Sequence, residues 1–153
     1  MLAVRPYVAA DASAWDALVG RSRNGNLLHR RGYMDYHAER FVDASLMVER
    51  HGEVVAVFPA SRLDGVVTSH GGLTYAGLIS SHAMRAESTL AVFEQMAGRY
   101  RAQGVQRIVY KAVPHVFHAC PAEEDLYALQ RMGARVVRRD LSSVIALQEP
   151  FRF

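Results

Sequence analysis

The stretch Ser69-His70-Gly71-Gly72-Leu73-Thr74-Tyr75 gathers the densest set of chemically able residues in the sequence. An imidazole titrates near neutral pH, so His70 is a candidate general base, and the Tyr75 hydroxyl is a candidate polar donor beside it. Two adjacent glycines, Gly71 and Gly72, permit a bulge or a close approach to the backbone, with Ser69 and Thr74 at hand to touch a substrate. The plainer reading of the same residues is a hairpin turn carrying a hydrogen-bonded histidine. Lys111, His115 and His118 form a second group. Lys111 is the one lysine among 18 basic residues, and its ammonium could hold a carboxylate or phosphate while His115 orients it. Pro114 and Pro121 alternatively account for this group as a shaped surface loop. His115, His118 and Cys120 do not complete the tetrahedral set that zinc requires, so no metal is expected. His37 and Arg40 stand three apart beside Tyr33, Tyr36 and Phe41, either as a contact for an anionic group or as a core face with a solvated edge. Cys120 has no base near it in the sequence that would activate it as a nucleophile.

These side chains need elements to position them. Residues 2–8 are short and β-prone, and Asp11 precedes apolar residues at helical spacing, Ala14, Trp15, Leu18 and Val19, as an N-cap would. That helix is expected to stop near Asn24-Gly25, and a second runs from about Arg31 to Phe41. From Ser45 the period changes to that of strands: SLMVER and EVVAVFPASRL are separated by His51-Gly52 as a hairpin. Pro59, lacking a donor, belongs at an edge, a bulge or a place where strands part. Asp64-Gly65 turns the chain into VVTSH and then LTYAGLIS. Leu90, Phe93, Met96, Ala97 and Tyr100 repeat at three and four, marking a long helix over about 85–103 that ends at Gly104. VQRIVYKAV reads as a buried central strand. Pro121 and the acidic run Glu123, Glu124, Asp125 open another helix, which ends at Gly133. ARVVRRD and SSVIALQ read as a final pair of strands.

The chain is 153 residues long, half of them hydrophobic, which suits one folded domain over 1–153. The net charge of +3 comes from scattered arginines without a basic arm, so DNA binding is not expected. No apolar stretch reaches the roughly 20 residues of a membrane span. A lone cysteine and an N-terminus lacking an unbroken apolar region point to a cytoplasmic protein.

In order, the elements are strand, helix, helix, three strands, long helix, strand, helix and two strands. This order, with the stretches YMDYHAERFVDASLMV, VVAVFPAS, SHGGLTYAGLI and YKAVPHVFHACPAEEDLYALQRMGARVVRRDLSSVI, resembles the acyl-CoA N-acyltransferase (GNAT) fold. It resembles in particular the N-terminal half of FemAB-like proteins that accompany bacterial envelope or polysaccharide biosynthesis. The resemblance implies a mixed, mostly antiparallel α/β sheet of about seven strands flanked by about four helices. It implies an acyl or aminoacyl transferase acting on an amine of a sugar, peptidoglycan or other envelope precursor. It places His70 and Tyr75 near the reaction and His37 and Arg40 on the acceptor side. GNAT proteins hold acetyl-CoA on a Gly-rich turn after the fourth strand. Here that turn reads LISSHAMRAES, without glycine, leaving Ser80, Ser81 and Arg85 to meet a phosphate through side chains. The tyrosine that often serves as general acid is replaced by Leu129 at its spacing, with Tyr127 two positions away. The missing turn also fits a non-catalytic half that binds a precursor or a partner domain. Fem-type enzymes carry two such domains, so a homodimer or a second GNAT-like half is the expected partner.

Overall fold

The computed structural model describes residues 2–145, without the side chain of His37. Two four-stranded sheets are built from eight short strands. In the first, β1 (Leu2–Pro6), β3 (Leu46–Arg50), β4 (Glu53–Phe58) and β7 (Ile79–Ser80) lie in that order and are all antiparallel. In the second, β2 (Val42–Asp43), β5 (Ser61–Leu63) and β6 (Val66–Thr68) are antiparallel, and β8 (Arg107–Val109) runs parallel to β6.

One ribbon serves both sheets. β2 runs on into β3 and β4 into β5, and the two partners bend together at 44–45 and 59–60. Pro59 offers no amide to a ladder. Across the bend the Ala44 amide donates to the Ala60 carbonyl at 2.9 Å and the Ala60 amide donates to Ser45 Oγ at 3.0 Å. The single sheet expected from the sequence is therefore folded into two at the proline. Both predicted turns form with the left-handed backbone they need, at His51-Gly52 (φ 53° and 83°) and Asp64-Gly65 (φ 45° and 74°).

Alternation along the strands sorts the core. Leu46, Val48, Ala56 and Phe58 face α3 (Ala86–Ala102), together with Val92, Met96 and Tyr100. Met47 and Val57 face the other way, onto Trp15, Leu18 and Val19 of α1 (Ala12–Arg21) and onto Met34. Helices thus cover both faces, as the sequence period requires. The predicted second helix is one α-turn, α2 (Arg31–Met34), tightened into a 3-10 stretch over Asp35–Arg40. The helix α4 (Glu124–Arg131) packs on α3.

Four expectations are corrected. Asp11 does not cap α1; its carboxylate accepts from the Val8 amide at 3.0 Å and from Arg5 at 2.6 Å, so the preceding 3-10 turn takes it. α1 ends at Arg21 rather than at Asn24-Gly25, because the chain goes extended at Ser22 and Arg23 and Asn24 then bond β7: the Arg23 amide donates to the Ser80 carbonyl, and the Asn24 side chain bridges the Leu78 carbonyl and the Ser80 amide. LTYAGLIS forms a strand only at Ile79–Ser80, since the 70–73 turn lifts the chain out of the sheet. Among the described residues β8 pairs only with β6, rather than between two strands, because residues 134–145 hold no strand; 146–148 of the last predicted strand lie outside the described residues. No helix among the described residues is long and apolar enough to cross a membrane.

Candidate active site

A cavity of about 300 Å³ opens where the loop after β1, the α2 turn and the 70–73 turn converge. Arg31 forms its charged wall. Its backbone amide donates to Asp16 Oδ1 at 2.8 Å, and its guanidinium bonds Asp35 at 2.5 Å and Asp43 at 2.6 Å. The Tyr7 ring lies 3.8 Å from the guanidinium carbon, a cation–π contact that fixes its plane. Arg31 is buried while both carboxylates remain partly open. One guanidinium against two carboxylates leaves a net negative charge at the rim.

His70 closes the cavity floor. Its backbone is left-handed at φ 38°, a conformation that costs a non-glycine residue about 1–2 kcal/mol. Three contacts enforce it. The Leu73 amide donates to the His70 carbonyl at 3.1 Å. Lys111 Nζ donates to the same carbonyl at 2.8 Å and also to that of Leu73. The Gly71 amide donates to Ser61 Oγ at 2.8 Å. The Phe41 ring lies flat on the two glycines: a Cβ on Gly71 or Gly72 would meet ring carbons at 2.9 or 2.8 Å. The doublet is thus a seat for Phe41, whose ring centroid sits 5.3 Å from the His70 imidazole.

The imidazole is 7% exposed, and its buried Nδ1 has no hydrogen-bond partner among the described residues. Burial lowers its pKa, against the pull of the Asp43 carboxylate and with the push of Arg31 and Lys111. At neutral pH the ring is neutral. A neutral imidazole beside an acid-rich rim can receive a proton from a bound ammonium.

The other candidates are distributed around this pocket rather than gathered in it. Ser69 is fully buried and its Oγ accepts from the Lys111 amide at 2.6 Å. Lys111, half-buried with its pKa lowered by burial, spends its ammonium on the 70–73 turn. Tyr75 does not line the cavity; its hydroxyl accepts from Asn26 Nδ2 at 3.0 Å and its ring stacks on Phe117 at 5.3 Å. Thr74 and His115 are exposed, and His118 Nε2 lies 3.1 Å from the Val113 carbonyl. Arg40 is exposed beside Glu39 at 3.9 Å, and the His37 backbone sits in the 3-10 stretch. Among the described residues no cluster could hold a metal ion. Tyr7, Arg31, Asp35 and Asp43 escaped the sequence reading, although the i,i+4 spacing of Arg31 and Asp35 marks a helical ion pair.

The turn at 80–85 is occupied by its own bonds. Ser80 Oγ accepts from the buried Arg23 at 3.0 Å, and Ser81 Oγ accepts from the Ala83 amide at 3.3 Å. The Ser81 and Met84 amides bond the Val55 and Ser81 carbonyls. Arg85 folds back onto the carbonyls of His82 at 2.6 Å and Met84 at 2.9 Å. Leu78, just before this turn, gives its amide to the Tyr110 hydroxyl at 2.7 Å, and that hydroxyl donates to Asp125 at 2.5 Å. Ser80, Ser81 and Arg85 each make these contacts within the chain.

No family model matches the sequence, and no curated protein matches it. Solved structures do match over nearly the whole chain. A ribosomal-protein-alanine N-acetyltransferase from Brucella melitensis is 15% identical with a TM-score of 0.56, covering 97% of this chain and 100% of its own. An aminoglycoside N-acetyltransferase in complex with CoA is 14% identical with a TM-score of 0.57, over 98% and 95%. An aminoglycoside 6′-N-acetyltransferase from Acinetobacter haemolyticus is 13% identical with a TM-score of 0.56, over 95% and 99%. The fold is therefore the GNAT fold, shared with N-acetyltransferases of protein and aminoglycoside amines.

Proposed function

We propose that this chain is the acceptor-binding module of a GNAT-type acyl or aminoacyl transferase that takes an amine of a sugar, peptidoglycan or other envelope precursor on the cytoplasmic side. The carrying observation is His70: a buried, neutral imidazole with an unpartnered Nδ1 at the floor of a cavity whose rim is acidic. Asp35 and Asp43 attract the acceptor as its ammonium. His70 takes a proton from nitrogen, the freed lone pair attacks the donor's acyl carbonyl, and the donor's ester or thioester bond breaks, its alcohol or thiol leaving with the proton that His70 returns. Arg31 fixes the carboxylates, and Lys111 with Phe41 fixes the turn that aims His70. To Arg40 and His37, on the 3-10 stretch leading to Phe41, we assign the anionic part of a precursor. No step is assigned to the 80–85 turn.

The test is titration of nucleotide-linked amino sugars and a lysine-containing muropeptide, followed through the His70 Cε1 proton resonance. One of these ligands is expected to move that resonance and to lower its pH midpoint, because a bound ammonium offsets the pull of Asp43, with His70→Gln and Asp43→Asn weakening binding about tenfold or more. Binding of none at millimolar ligand, or binding indifferent to both substitutions, would sink the reading.

The internal bonding of the 80–85 turn favours a second reading, a non-catalytic half that binds the precursor and works with a second GNAT-like unit. Calorimetry with acetyl-CoA separates the two: micromolar affinity argues for a donor site on this chain, and silence at millimolar ligand argues for the binding half.

A further inference from the structure

The bend that folds the ribbon into two sheets leaves a corner. β1 follows β3 as far as Pro6 opposite Leu46, and the Tyr7 amide then donates to the Ser45 carbonyl at 3.0 Å, while β2 swings away to pair with β5. Between them opens a cavity of about 410 Å³, which shares Tyr7, Ala9 and Asp43 with the one over His70. Leu46 and Tyr100 line its buried side, the Tyr100 hydroxyl donating to the Ala44 carbonyl at 2.6 Å. Val8 and Val42 stand at its rim, 54 and 68% exposed.

The charge of this corner is opposite to that of the His70 cavity. Arg62 lies directly across from Val42 in the β2–β5 pair, so both side chains stand on one face of the sheet. Its Nη2 donates to the Gln103 carbonyl at 3.0 Å, just past the end of α3, and no carboxylate among the described residues pairs with it. A guanidinium carries five N–H donors, so most of those on Arg62 remain unspent. Asp43, the acid on the shared wall, is already engaged: Arg31 donates to its Oδ2 at 2.6 Å and the Ser45 amide to its Oδ1 at 2.8 Å.

We propose that this corner binds a small carboxylic acid with an aliphatic or aromatic body, its carboxylate on Arg62 and its body against Val8, Val42 and Leu46. A cavity of this size, lined by apolar side chains with a few placed polar groups, is what a small ligand needs. A planar carboxylate meets the edge of a guanidinium through two parallel hydrogen bonds. A phosphate would carry a second negative charge to a wall that already holds Asp43 and, among the described residues, has no cation besides Arg62. The site stands independently of what the His70 cavity binds.

Phenylacetate and isovalerate are the probes, added to the full chain and followed through the methyl resonances of Val8 and Val42. Saturable shifts of both valines at millimolar ligand or below are expected, with phenylacetamide and phenyl phosphate at least about tenfold weaker than phenylacetate. Arg62→Gln removes a side chain whose one bond is to the Gln103 carbonyl, and should weaken phenylacetate about tenfold. Val42→Glu, at an exposed rim position, should weaken it similarly by setting a like charge beside the carboxylate. Failure to saturate at millimolar ligand overturns the proposal, as does an amide or phosphate that binds as tightly as the acid. So does unchanged phenylacetate affinity in either variant.

Discussion

His29 is the residue on which stability at mild acid turns. It is fully buried, its Nδ1 accepts from the Asn26 amide at 3.0 Å, and its Nε2 makes no well-formed hydrogen bond among the described residues. Burial pulls its pKa from 6.5 down to about 4. Unfolded chains therefore bind its proton first, so the His29 contribution is whole above pH 6.5 and drains away as pH falls from 6.5 towards 4, by about 3 kcal/mol. Urea titrations at pH 7 and pH 5 should show about 2 kcal/mol of this loss in wild type and a much smaller one in His29→Asn. His70 titrates with the same sign, whereas Asp125, raised by burial, works against them. The buried Arg23 answers to Glu124 at 2.8 Å and to Ser80 Oγ at 3.0 Å. Arg23→Ala leaves that carboxylate and the Ser80 hydroxyl without this partner, and should cost about 3 kcal/mol by denaturant unfolding. At this scale the sequence was partly legible. His70 and its glycines declared themselves by type, because polar residues in an apolar run have few ordinary explanations. Arg31, Asp43 and Arg23 did not, since a buried arginine is identical in sequence to a solvated one until its partners are placed.

Among the elements, the 70–73 turn is the one on which the pocket depends. Gly71→Ala places a methyl 2.9 Å from a Phe41 ring carbon, and such overpacking costs about 1–3 kcal/mol. Combining it with Phe41→Leu should recover part of that loss, a coupling that a double-mutant cycle on melting temperatures would read. Purely additive losses would mean that the ring does not rest on the doublet. Helices and turns with strong local signals appear near where the sequence put them: α3 at Ala86–Ala102, the hairpins at 51–52 and 64–65, and Pro59 where strands part. The failures share a cause. Asn24 pairing with Leu78 and Ser80, and the break in LTYAGLIS, are set by residues fifty positions away or by a lysine clasp across the sheet. Periodicity within a short window carries no trace of either.

For the molecule as a whole, the GNAT fold was legible from element order, because alternation of strand and helix periods survives at identities of 13–15%. The lack of a strand over residues 134–145 was not, since ARVVRRD and the start of SSVIALQ read as strands whether or not a neighbour is present to pair them. One buried contact has a further use. The Tyr110 hydroxyl sits inside the protein between the Leu78 amide and Asp125, and burial raises its pKa well above the ordinary phenol value, as it does for Tyr100. Tyr33, Tyr36 and Tyr127 lie on the surface. After a jump to alkaline pH, Tyr100 and Tyr110 should ionise only as the fold opens. The slow rise of phenolate absorbance would then be a direct clock of global unfolding that needs no added dye or label.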